Sequence, residues 1–199
     1  MINPTAITNF SRTTRELQLF WIFGIIVAGK NSDWAAKKVL GLFGKLGPDE
    51  TPFDYMRANP NDLHNMLVAN KVGQYGRIER ALTQSLELDL ATATLEQLEG
   101  VFGVGPKTAR FFLLHTRRDC ECAVLDVHIL RWMHEQGVDT PKQTPQGEKY
   151  KTLERHFLQL AKANFPSVSI AEVDLMLWSK MSGRFDLTAA DLLVKGNSI

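Results

Sequence analysis

Residues 98–115 read LEGVFGVGPKTARFFLLH. The stretch predicts a short helix, a turn in which Gly103 and Gly105 flank Val104, and a second helix that Pro106 opens. Two glycines at this spacing allow a tight hairpin whose backbone amides face outward. Val104 can then tuck between the helices. The first turn of the second helix adds its unbonded amides and the positive end of its dipole. The result is an anion site suited to a DNA phosphate, with Gly103, Val104, Gly105, Thr108 and Arg110 as candidate DNA-binding residues. A glycine turn between helices is common, so what surrounds it must decide its meaning.

Outward from the hairpin nearly every segment reads as helix. Thr94 can cap the helix before it, and Asp126 can cap VHILRWMHEQ after it, which Gly137 ends. Toward the N-terminus lie an apolar helix at 14–29, a second over DWAAKKVLGLF with Ser32 as cap, a third over 61–70 and a fourth over 77–88. Toward the C-terminus, 146–163 puts Leu153, Phe157 and Leu160 on one face, and Ser169 with Glu172 has capping-box spacing ahead of VDLMLWSKM. ECAVLDV at 121–127 alternates weakly but sits between strong helices, and reads as a buried connector. The expected fold is all-α. Two lobes are expected: residues 30–135 as a central lobe holding the hairpin motif at about 94–116, and a second lobe joining 1–29 to 136–199.

Composition narrows the function classes. Formal net charge is only +1, so any contact with nucleic acid must come from local geometry and not from an overall basic surface. The most apolar run, LFWIFGIIVA at 19–28, is too short to span a bilayer, which takes about 20 residues. No signal peptide is read before it. Cytoplasmic location, nucleoid-associated in a bacterium or archaeon, no membrane and a monomer are the expectations. The two cysteines, Cys120 and Cys122, are separated by one residue, where a direct bridge would be strained. Reduced thiols are the simple reading, and two cysteines cannot hold a four-cysteine iron–sulfur cluster.

Nineteen residues after Lys107 comes Asp126, in AVLDVHILRW. GVGPKTA followed by VLDVHILR resembles the helix-hairpin-helix DNA glycosylases, endonuclease III among them. In that family the hairpin ends in Lys-Thr-Ala where the enzyme is also a lyase, and an Asp opens the following helix. Lys107 and Asp126 fill both positions. VGQYGRIERAL at 72–82 is similar to the segment that supplies a DNA wedge, with Gln74 at the wedge position. ELQLFWIFGIIVAGKNSDWAAKKV at 16–39 is similar to the opening core helices. EVDLMLWSKMSGRF at 172–185 resembles the C-terminal helix of the small archaeal-type 8-oxoguanine DNA glycosylases. The cluster cysteines of the endonuclease III branch are missing, which favours the cluster-free 8-oxoguanine branch.

The resemblance implies a bifunctional DNA glycosylase and abasic-site (AP) lyase of base excision repair, acting on duplex DNA that contains a damaged base, with no metal and no cofactor. Lys107 would be the nucleophile and Asp126 the carboxylate partner. Cleaving the N-glycosidic bond develops positive charge on the sugar, which a carboxylate stabilises in a dry site. An amine attacking C1′ gives a Schiff base that permits β-elimination. That amine must be neutral, which the positive end of a helix favours, while the same kind of end favours the carboxylate anion of Asp126. The target base must first leave the stack. Asp174 and Trp178, four apart on one helical face, would read the base by hydrogen bond and stacking. The family branch closes with a terminal lysine at the pocket, whereas this chain continues through FDLTAADLLVKGNSI; Phe185 or the tail 186–199 would then replace that contact.

Plainer readings stand beside these. Lys107 alone reads as a surface cation, Asp126 as a simple cap, and Trp178 as core. His64 and His128 read as satisfied polar residues. Trp21, Trp34 and Trp132 read as core, and Lys37 and Lys38 as a solvated face. Arg110, Arg117 and Arg118 flank the hairpin helix and are phosphate candidates. The rival functions are a glycosylase for an oxidised pyrimidine or alkylated purine, and a non-catalytic DNA-binding module that kept only the hairpin.

Overall fold

The computed structural model describes residues 7–183. Among them are ten α-helices and no strand, as the sequence predicts. By contacts the chain divides into two compact units at the junction of Thr116 and Arg117.

The first unit is built around α1 (Thr14–Val27). Thr13 caps it through a capping box with Glu16. Every residue from Phe20 to Ile26 is buried, so this stretch of the helix is apolar all round, as the centre of a core must be. It packs against α2 (Ser32–Phe43), α3 (Pro52–Ala58), α5 (Tyr75–Ser85) and α7 (Pro106–Thr116). Phe20 and Trp21 meet Phe112 at ring distances of 6.1 and 5.2 Å. Burying each such ring stabilises by about 1.5–3 kcal/mol. The one polar atom of Trp21, Nε1, donates to Ser85 Oγ at 2.8 Å, and Ser85 donates on to Ala81 O. Arg12 lies over the Phe20 ring and donates to His115 O at 2.7 Å, tying the entry to α1 to the end of α7. Two shorter helices complete the unit. α4 (Leu63–Ala69) packs on α5, and α6 (Leu95–Glu99), with its Thr94–Gln97 capping box, packs on α7.

The second unit holds the connector 117–126, α8 (Val127–Glu135), α9 (Gly147–Asn164) and α10 (Ile170–Ser182). Trp132, Met133, Tyr150, Phe157, Val173 and Leu177 form its core. Ala123, Val124 and Leu125 are buried without regular structure. Tyr150 Oη satisfies their backbone, donating to Ala123 O at 2.7 Å and accepting from Leu125 N at 3.0 Å. The connector is therefore buried over 122–125, the middle of the 121–127 segment that the sequence suggests, while Glu121 and Val127 at its ends are exposed.

Four details depart from expectation. Asn31, not Ser32, caps α2; its Oδ1 accepts from Asp33 N and Trp34 N. Trp34 is only part-buried, flanked by the Lys30 and Lys38 ammonium groups at 5.8 and 5.5 Å from its ring. Helix α3 lies outside the helices read from the sequence, although Thr51 before Pro52 is a legible start signal. Helix α5 begins two residues early because Gln74 takes the left-handed conformation, φ 48°. The lobes expected from sequence, 1–29 with 136–199 and 30–135, concern how the units are joined and stand as an expectation. Among the described residues no helix is long and apolar enough to cross a membrane.

Candidate functional site

The hairpin forms as read. Val101 and Val104 are buried, and Val104 N donates to Val101 O at 3.0 Å. Positive φ falls on Gly103 (+73°) and not on Gly105. Lys107 is the second residue of α7, part-exposed, and its Nζ makes no hydrogen bond or ion pair among the described residues. The amides of the first turn have no partner one turn earlier in the helix, so Lys107 stands at its positive end. Thr108 is buried, its methyl facing Gly24 of α1, so what it offers a phosphate is its backbone amide. Arg110 is turned inward: its side chain is 5% exposed and paired with Glu99. Its charge holds α6 to α7 rather than standing at the surface.

Gln74 and the hairpin are brought together by a residue that the sequence did not single out. Arg77 Nε donates to Gln74 Oε1 at 2.6 Å, Nη1 to Gly103 O at 3.2 Å and Nη2 to Ile25 O at 3.1 Å. Burial lowers the pKa of this guanidinium from the ordinary arginine value. One cation therefore fixes the exposed Gln74, the turn of the hairpin and the end of α1. The available signal was Arg three positions after Gln74, on one helical face. Phe102, also unremarked, is 42% exposed at the hairpin rim, with the Arg80 guanidinium 4.0 Å above its ring.

In the second unit Asp126 caps α8. Its Oδ1 accepts from His128 N at 2.8 Å and Ile129 N at 2.9 Å. Among the described residues no hydrogen bond reaches Oδ2. The residue is thus both a cap and a carboxylate with an oxygen to spare. His128 ring lies edge-on to Trp178, 6.0 Å between centroids, and its Nδ1 is buried with no hydrogen-bond partner among the described residues. A buried donor or acceptor left unpaired is uncommon and costs stability. His128 thus departs from the reading as a satisfied polar residue. His64 fits it: Nδ1 meets Glu79 Oε2 at 2.7 Å. Asp174 is buried and Trp178 part-buried on α10, which packs on α8. The structure so gathers Asp126, His128 and Trp178 along one pair of helices. Phe185 and the tail 186–199 lie outside the described residues.

No protein-family model matches the chain. Among solved structures it is similar to the 8-oxoguanine glycosylase/lyase of Methanocaldococcus jannaschii, crystallised with a 15-mer DNA containing 8-oxoguanine. The TM-score is 0.68 at 19% sequence identity, over 89% of this chain and 86% of that one. With ten helices among its described residues and the glycine hairpin, the chain has the all-α helix-hairpin-helix DNA glycosylase fold.

Proposed function

We propose that this protein is a DNA glycosylase with associated abasic-site lyase activity, acting on an oxidised base, 8-oxoguanine first. The observation that carries the reading is the position of GVGPKTA and LDVH in the fold. They form the first turn of α7 and the N-cap of α8, in a chain folded like a glycosylase/lyase.

The hairpin amides hold a phosphate of duplex DNA, and Gln74 fills the gap left by the displaced nucleotide. Trp178 offers an indole to the displaced base, and Asp174 a carboxylate to its N–H edge. Lys107 Nζ attacks C1′ with its lone pair. The glycosidic electron pair leaves with the base, which takes up a proton. Asp126 Oδ2 stabilises the cationic sugar while Oδ1 stays on the helix amides, and it accepts the proton that the attacking amine loses. The nitrogen lone pair then expels O4′, which takes up a proton as the sugar ring opens to the Schiff base; this makes the C2′ proton acidic, and β-elimination expels the 3′ phosphate and breaks the strand. None of these steps calls on a metal or an organic cofactor. The protein works as a monomer in the compartment that holds the DNA.

Borohydride reduction in the presence of lesion-bearing duplexes tests this directly. A covalent protein–DNA adduct is expected with wild type and none with Lys107→Gln, which should still bind the duplex through the hairpin. Undiminished trapping in the variant overturns the role of Lys107. A panel of lesions in the same assay separates 8-oxoguanine from oxidised pyrimidines and alkylated purines.

A further inference from the structure

We propose that Cys120 and Cys122 form a redox-active dithiol, closed reversibly into an intrachain disulfide by small disulfides such as oxidised glutathione. The two Sγ atoms lie 2.9 Å apart. A disulfide needs about 2.05 Å, so bond formation asks for a movement of only ~0.9 Å. The intervening Glu121 points to solvent, where it pairs with Lys162 Nζ at 3.1 Å. The backbone is thus bent so that the flanking thiols converge while the residue between them leaves.

The surroundings assign the two thiols different parts. Cys120 is part-exposed, in the turn closed by Cys120 N to Arg117 O. Cys122 is 7% exposed, and the next residue is anchored at both backbone groups. Ala123 N donates to Glu154 Oε1 at 2.9 Å, and Ala123 O accepts from Tyr150 Oη. The closing movement therefore falls on Cys120 and its turn, upstream of the stretch that carries Asp126. Among the described residues no cluster of three or more His, Cys, Asp or Glu could hold a metal ion, so the pair is read as a dithiol and not as half of a metal site.

The chemistry balances. The thiolate of Cys120 attacks one sulfur of oxidised glutathione and displaces glutathione thiolate, which takes a proton from water. Cys122 loses its proton to solvent and attacks Cys120 Sγ, forming the intrachain bond and releasing the second glutathione. The dithiol is oxidised and one glutathione disulfide is reduced to two thiols. Bridging residues only two apart strains the ring, and strained disulfides are the easily reduced ones. Reduced glutathione in excess should reopen it.

The test is intact-chain mass spectrometry after titration with oxidised glutathione, followed by peptide mapping. Wild type should lose two hydrogens, with both cysteines protected from iodoacetamide in one peptide, and should regain them with excess reduced glutathione. Cys122→Ser should instead accumulate a stable glutathione adduct on Cys120. Cys120→Ser, at the part-exposed position, serves if burial of the other site prevents folding; it should form neither bond nor rapid adduct. A stable adduct on wild type, a disulfide between two chains, or two thiols unchanged by the oxidant overturns the proposal. None of these readouts depends on glycosylase activity.

Discussion

At the scale of single residues, Asp126 combines two demands. Its Oδ1 is committed to the amides of His128 and Ile129. Asparagine caps about as well as aspartate, so Asp126→Asn isolates the charge. Base excision in single-turnover kinetics should fall by roughly 10²-fold or more, the scale set by losing one preorganised electrostatic group. The melting temperature should barely move. Near-normal excision would leave Asp126 as a cap alone. Asp174 and Trp178 pose a different question, since a base-reading pair matters only while a base is present. Their alanine variants should lose excision of 8-oxoguanine and keep strand cleavage at a ready-made abasic site. Equal loss of both activities would mean that the substitutions damage α10 rather than a pocket.

At the scale of elements, the hairpin is a joint held from three sides. The backbone at Gly103 has φ +73°, and a Cβ added there would stand 2.9 Å from Arg77 Cγ. That arginine is pinned by three hydrogen bonds and cannot swing aside without releasing Gln74. Gly103→Ala should therefore cost about 1–2 kcal/mol from the left-handed backbone alone. Its larger effect should be weaker binding to damaged and undamaged duplexes alike, read by fluorescence anisotropy. A defect confined to one lesion would argue against phosphate anchoring. The turn was legible as glycine-rich, yet sequence could not say which glycine bears the positive φ. That depends on where Val104 finds its buried place between α6 and α7.

For the whole molecule, net charge and hairpin together set the salt response. The 23 lysines and arginines are nearly balanced by 22 acids, and Arg110 is paired with Glu99. Each neutralised phosphate contributes about −0.9 to the slope of log K against log salt in duplex DNA. A slope on the order of −2 to −4 is expected, from two to four phosphates neutralised by lysines or arginines, while the hairpin amides add contacts that release no counterion. A slope near −8, in the same equilibrium titrations, would mean a broad basic face in contact with the duplex and would overturn this expectation.

What the sequence by itself determined is local in origin. Helices announce themselves through periodic apolar residues and through caps, so Thr94, Asp126 and Ser169 were readable where they stand. Asn31 displaced Ser32, and α3 escaped notice, because a cap is chosen by the direction in which the chain enters a helix. Lys107 and Asp126 were singled out by the resemblance of GVGPKTA and VLDVHILR to the glycosylase motif, and the fold puts each at a helix start. Tertiary structure alone decided the rest. Arg77 meets Gly103 across 26 positions and Ile25 across 52. Arg110 is drawn inward by Glu99, and His128 is set against Trp178 with a ring nitrogen unpaired. The sulfurs of Cys120 and Cys122 converge because Tyr150 and Glu154, from a later helix, hold the connector's backbone. Partners distant in sequence have no local signature; only packing the helices brings them together, and burial then forces each polar atom to find a bond or go without.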